Sequence, residues 1–192
     1  MSCEGFSEEC GAEVSDPIEF KANYGIRAKQ TTYRDVIFRS QLEAQWAAFF
    51  DLCGWEWQYE PGKLPGWIPD FQIRTSFCDV LAEVKPIDLW EAWGMHLEGK
   101  NVSLPDYGKA ARYRGDLPIV LLGHEPTCIS GDEIIGLIVT TDISQVPAIA
   151  GCTLEEFNNS LRVEGNAKAK WFEAGNKIRG LPAASRRIFP DL

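Results

Sequence analysis

Apolar residues recur at helical spacing after residue 40. Leu42, Trp46, Phe49, Phe50 and Cys53 fall at i, i+4, i+7, i+8 and i+11, which makes one continuous face of a helix. Ser40 is placed to cap its start and Gly54 to stop it. Three strands are expected next, at residues 55–59, 67–73 and 77–85, with Pro61-Gly62 and Pro65-Gly66 marking turns in the first gap. The third strand alternates: Cys78, Val80, Ala82 and Val84 share one face, so Glu83 and Lys85 project together from the other. A helix over residues 103–114, a buried-looking strand over 118–122 and a second apolar strand over 134–140 follow. Ala167, Trp171, Ala174 and Ile178 return to helical spacing near the end. The order helix, three strands, helix, strand is that of an α/β domain.

Composition narrows the class. The chain has 192 residues, 45% hydrophobic and 24% charged, enough for one domain with a real core and too apolar for a disordered chain. Its apolar runs, such as those at 119–122 and 134–139, fall far short of the roughly 18 residues a membrane span needs. The opening Met1-Ser2-Cys3-Glu4 lacks a basic region followed by an apolar one, so a cytoplasmic protein without membrane association is expected. Residues 1–20 hold six carboxylates and no basic residue, and read as a flexible acidic arm. Residues 21–39 mix Lys21, Arg27, Lys29, Arg34 and Arg39 with polar residues and read as extended and solvent-facing. Residues 21–192 then form a single domain with a C-terminal helical extension. Six cysteines show neither a Cys-x-x-Cys pair nor zinc spacing, and are expected to be reduced structural thiols.

Chemistry concentrates in Pro69-Asp70 and Glu83-Val84-Lys85. Asp70 begins the strand preceding that of Glu83, so hairpin pairing would bring the two carboxylates together. Oxygen ligands on adjacent strands suit a hard divalent cation such as Mg²⁺, with the main-chain carbonyl of Val84 as a further donor. Mn²⁺ is expected to substitute. The Lys85 ammonium would then orient an attacking water and stabilise charge developing on a phosphate. The set fits metal-assisted phosphodiester hydrolysis.

At these residues the chain resembles the PD-(D/E)XK nuclease superfamily, in particular its compact phage- and mobile-element-type members. The resemblance is carried by Phe38-Arg39-Ser40-Gln41-Leu42-Glu43-Ala44, Trp67-Ile68-Pro69-Asp70-Phe71, Glu83-Val84-Lys85-Pro86, the strand near residues 117–123 and Trp171-Phe172-Glu173-Ala174-Gly175-Asn176. It implies a restriction-endonuclease-like core, a central mixed four-stranded sheet flanked by helices in α-β-β-β-α-β order. By position it makes Asp70 and Glu83 metal ligands, Lys85 the catalytic lysine and Glu43 the helix-borne acid that completes or positions the metal site. Residues 87–102, with Trp90, Trp93, Met95 and His96, have no counterpart in the family.

Each of these residues also has a plainer reading. Ser40-x-x-Glu43 is a capping box, in which Glu43 only bonds back to the helix start. Asp70 is also a turn residue after proline, and Glu83 with Lys85 is also an exposed ion pair on an edge strand. Trp90 and Trp93 read more readily as packing than as base-stacking groups, and His96 and His124 as ordinary surface or loop residues.

Lys109, Arg112, Arg114, Lys168 and Lys170 are candidate nucleic-acid contacts, the last two within a basic stretch over 162–187. The net charge of −9 argues against a phosphate partner until the acidic arm is set aside. The remaining 22 acidic and 19 basic residues leave −3, and Glu43, Asp70 and Glu83 are among those acids. The expectation is a Mg²⁺-dependent nuclease acting on DNA, alone, as a homodimer or with a protein partner. The alternatives are the endonuclease subunit of a heteromeric transposase or resolvase-like enzyme, and a non-catalytic binding or inhibitory protein on a nuclease scaffold.

Overall fold

The computed structural model describes residues 18–19, 28–76, 78–100, 102–103, 117–129, 132–138 and 154–180. In chain order the elements are β1 (Ile18–Glu19), β2 (Thr31–Tyr33), β3 (Val36–Phe38), α1 (Gln41–Cys53), β4 (Trp57–Tyr59), β5 (Phe71–Arg74), β6 (Asp79–Val84), α2 (Leu89–Leu97), β7 (Val102–Ser103), β8 (Ile119–Leu122), β9 (Thr127–Ile129), β10 (Asp132–Ile134), β11 (Leu137–Ile138), α3 (Leu154–Ser160) and α4 (Ala167–Ile178). The main sheet runs β11-β8-β6-β5-β4. All its pairs are antiparallel except β6 with β8, and that parallel connection is the crossover that carries α2. Strands β8, β6, β5 and β4 form the four-stranded mixed sheet, to which β11 adds two residues at one edge. The protein is thus a mixed α/β structure with helices flanking a mixed sheet.

Alternation along the strands assigns the two faces. Val80, Ala82 and Val84 of β6 join Phe71, Ile73, Val120 and Leu122 in the larger core, beneath α1. Leu81, Ile119 and Leu121 point the other way and pack with Trp67, Ile87 and Leu89. Because α1 lies between the sheet and α4, it is buried well beyond its predicted stripe: Ala44, Ala47 and Ala48 are as inaccessible as Trp46, Phe49 and Phe50. Trp46 and Trp171 meet with ring centroids 4.7 Å apart, and Phe50 meets Phe71 edge-on at 5.4 Å. The small residue at Gly175 lets α4 approach α1, since a Cβ there would lie 3.0 Å from the Gln45 amide nitrogen.

Several expectations are corrected. Within residues 21–39, β2 and β3 form a hairpin whose turn residues Arg34 and Asp35 both have positive φ, the primed-turn geometry that suits strand twist. That hairpin is not wholly solvent-facing, because Phe38 is fully buried against Trp57, Tyr59 and Phe71. The segment 87–102 contains α2, started by Asp88, whose carboxylate accepts the Glu91 N–H at 3.0 Å. Trp93 is half-buried, but Trp90 is 57% exposed, so packing does not account for it.

The apolar run from 134 is not one strand. It bends at Ile135-Gly136, where the Gly136 backbone crosses so close to Leu121 that no Cβ would fit. Ile18–Glu19 of the acidic segment pair in parallel with Val102–Ser103. Residues 1–17, residues 181–192 and the helix expected over 103–114 beyond Ser103, with its Lys109, Arg112 and Arg114, lie outside the described residues; Ser103 itself is in β7. Cys53 and Cys78 are partly buried, and burial pushes the Cys53 thiol up to about 11. Among the described residues no helix is long and apolar enough to cross a membrane.

Candidate functional site

Register brings the predicted acids together. Phe71 pairs with Ala82 across the β5-β6 hairpin, so Asp70 stands opposite Glu83. The Asp70 carboxylate is 4% exposed and accepts the Val84 N–H at 2.8 Å, which fixes it against β6. Strand β6 lies between β5 and β8. The Glu83 and Lys85 pair therefore sits on an inner strand of the sheet, and its 2.8 Å ion pair is mostly buried, contrary to the plain edge-strand reading.

A turn supplies the next partner. Leu64-Pro65-Gly66-Trp67 closes with Trp67 N–H on Leu64 C=O at 3.2 Å, and Gly66 takes the positive φ that a type II turn places at this position. The turn presents the Trp67 indole N–H to Glu83 Oε2 at 2.8 Å. Glu83 therefore meets an ammonium on one oxygen and an indole donor on the other.

Glu43 enters from the start of α1. Ser40 Oγ accepts the Glu43 N–H at 3.1 Å, half of the capping box. The other half is displaced by one residue: Glu43 Oε2 accepts the N–H of Arg39, at 3.1 Å, and also the Tyr59 hydroxyl at 2.6 Å. Helix capping and membership of the acidic cluster are thus the same arrangement. The helix N-terminus favours a carboxylate here.

Arg39 joins the parts. Its guanidinium reaches Asp70 Oδ1 at 2.5 Å and Glu60 Oε1 at 3.0 Å, while its backbone N–H donates to Glu43 and to Tyr59 Oη. Even so, the Asp70 carboxyl is pushed up to about 7. Burial is the main cause and the nearby charge of Glu83 the next, with Glu43 adding to it, against the opposing pull of the Val84 N–H and Arg39. Burial and the hydrogen bond to Glu43 likewise raise Tyr59 to about 12, so it stays a donor.

The corner has the donor chemistry for a hard divalent cation: buried carboxylates on adjacent strands with a third at a helix start. Their oxygens are turned toward Arg39, Val84 N–H, Lys85 and Trp67. Among the described residues, accordingly, no three Asp, Glu, His or Cys side chains converge on one point. Lys168 and Lys170 are elsewhere. They lie on α4, and Lys170 acts electrostatically on Cys53, about 15 Å along α1 from Glu43.

No family model, curated protein or solved structure matches this chain. The site is therefore read from its own residues. Arg39, Tyr59 and Trp67 are the members that spacing did not single out. Tyr59 was findable, since across the β4-β5 hairpin it pairs with Phe71, the residue that follows Asp70.

Proposed function

We propose that this chain is a divalent-cation-dependent nuclease that hydrolyses phosphodiester bonds, with DNA as its substrate. One observation carries the reading: Asp70, Glu83 and Glu43 share a buried corner of the sheet with Lys85, more negative charge than a fold gathers for packing alone. In this reading Asp70 and Glu83, with the Val84 carbonyl and Glu43, hold Mg²⁺, which Mn²⁺ can replace. The cation, when bound, lowers the pKa of water and offsets charge on the phosphate. Lys85, held by Glu83 on the inner strand, directs its ammonium to the water and to the phosphate oxygen on which charge grows. Water adds to phosphorus, the bond to the leaving sugar oxygen breaks, and the water proton passes through solvent to that oxygen. A restriction-endonuclease-like core is part of the same proposal, supported by the mixed four-stranded sheet with flanking helices and by the acid at the start of α1.

The test uses the full chain with end-labelled single-stranded, duplex and forked DNA and with RNA, in Mg²⁺, Mn²⁺ or EDTA. Cleavage that requires the cation and disappears in both Asp70→Ala and Lys85→Ala is the expected result. Undiminished cleavage by both folded variants would overturn it. Calorimetry with Mn²⁺ separates the alternative: a folded wild-type chain that gives no binding heat is a non-catalytic protein on this scaffold.

A further inference from the structure

Arg39 is anchored at its backbone, and its side chain is exposed to solvent. Its N–H is fixed by Glu43 Oε2 and Tyr59 Oη, both at 3.1 Å, so the Cα cannot leave the corner. The side chain is 55% exposed, while the Asp70 side chain it touches is 6% exposed. The guanidinium thus lies across the mouth of the acidic corner, with one nitrogen on Asp70 inside and Nε on Glu60 at the rim. Lys85 holds the inner acid, Glu83, and is itself largely buried. The two cations divide the cluster into an inner and an outer half.

We infer that Arg39 is an internal counter-cation: it occupies Asp70 while the corner holds no divalent ion, and it turns outward to bind a substrate phosphate once Asp70 is engaged. The inference rests on the nuclease reading. Arg39 takes Asp70 Oδ1, whereas Oδ2 is kept by the Val84 N–H, so the oxygen a cation would need is the one the guanidinium covers. A guanidinium and a divalent cation cannot share that oxygen without strong repulsion. Glu60 gives the released side chain a resting place at the rim, and the planar fork of arginine matches two phosphate oxygens better than an ammonium does. Arg39 is therefore a competitor of the cation and a partner of the substrate, opposite effects that a purely structural ion pair would not have.

The deciding experiment titrates Mn²⁺ into wild type, Arg39→Gln and Arg39→Lys by calorimetry, after thermal melts show that each is folded. Arg39→Gln is expected to bind Mn²⁺ about three- to tenfold more tightly, because one competing charge is gone. With Ca²⁺ replacing Mg²⁺, the same variant should bind a labelled oligonucleotide more weakly, with its salt slope reduced by about one. Arg39→Lys keeps the charge but cannot span Asp70 and Glu60 together. It should tighten Mn²⁺ less and keep the slope, and it decides the matter if Arg39→Gln is unfolded. Unchanged or weaker Mn²⁺ binding in a folded variant, beside a wild type that binds the ion and cleaves, overturns this inference alone. A wild type that neither binds Mn²⁺ nor cleaves overturns the nuclease reading and this inference with it.

Discussion

At the C-terminal end of α1, Asp51 accepts the Tyr33 hydroxyl at 2.7 Å, an Arg34 nitrogen at 2.7 Å and the Trp57 indole N–H at 3.1 Å. At the N-terminal end, Glu43 also meets a tyrosine hydroxyl and an arginine, and Glu83 nearby meets an indole N–H. Tyrosine and tryptophan donors recur at both ends, but Glu43 takes the main-chain N–H of Arg39 where Asp51 takes a guanidinium, and the totals differ. One carboxylate faces one cation at the Asp51 end, where an acid opposes the helix dipole and needs that compensation. At the other end, among the described residues, the cations paired with Glu43, Asp70, Glu83 and Glu60 are Arg39 and Lys85. A structural carboxylate is brought close to neutrality by its neighbours. Left-over negative charge in a buried corner costs stability, and its persistence is a reason to look for a ligand there.

The largest expected contrast comes from removing one acid at each end. Asp70→Asn should lower cleavage by roughly a hundredfold or more, yet in EDTA at pH 8 its melting temperature should be no lower than that of wild type, because it removes a like charge from the cluster. Asp51→Ala should do the reverse. It strands partly buried donors of Tyr33 and Trp57 at a cost of about 1–3 kcal/mol, a fall of several degrees in melting temperature at this chain length, with cleavage unchanged. Melting curves and initial rates on the two variants decide it. An Asp70→Asn protein that melts well below wild type would make both ends structural.

The same contrast shows what could be read from one sequence. The two faces of β6 followed from strict alternation, and the meeting of Asp70 with Glu83 followed from two adjacent strands and a short connection. Arg39 was harder to see, because its partners lie 20 and 31 residues away, at Tyr59 and Asp70. Five basic residues between 21 and 39 look alike until tertiary packing turns one of them inward. Trp67 needed its turn geometry before its indole could be aimed at Glu83. Helix α2 did carry a local start signal, Asp88-x-x-Glu91, but Leu89, Trp90, Ala92, Trp93, Met95 and Leu97 place apolar residues on several sides and hide the period. The bend at Gly136 was hidden for a related reason: a continuous apolar run has no alternation to interrupt. The Glu43 alternatives proved compatible, since one carboxylate caps the helix and faces the cluster.

A smaller effect is expected from pH. The Asp70 carboxyl is raised to about 7 in the fold and titrates near 3.9 when unfolded. Between those values the native state binds more protons, so this group's contribution is fully present below about pH 4 and is lost as pH rises through 7. In EDTA, melting temperature measured from pH 5 to 8 should therefore carry a downward component that Asp70→Asn abolishes and that saturating Mg²⁺ at pH 8 offsets. Identical pH profiles for wild type and variant would show that burial and the neighbouring acids do not raise the Asp70 carboxyl in the fold.

The smallest expected change compares two single hydroxyls. Tyr33→Phe and Tyr59→Phe each delete one phenol that donates to a carboxylate of α1, Asp51 in one case and Glu43 in the other. Each should cost about 1 kcal/mol of stability, so melting alone will hardly separate them. Their difference should appear in cation binding and turnover. Tyr33→Phe leaves the acidic corner untouched, whereas Tyr59→Phe releases Glu43 Oε2 from its shortest bond and removes an acceptor that Arg39 uses through both its N–H and its Nε. With Glu43 and Arg39 both less constrained, Tyr59→Phe should change Mn²⁺ affinity and the rate of cleavage by a few fold, at a stability loss matched by Tyr33→Phe. Equal stability loss with equal, unaltered Mn²⁺ binding in both variants would mean that Tyr59 only braces α1, as Tyr33 does at the other end.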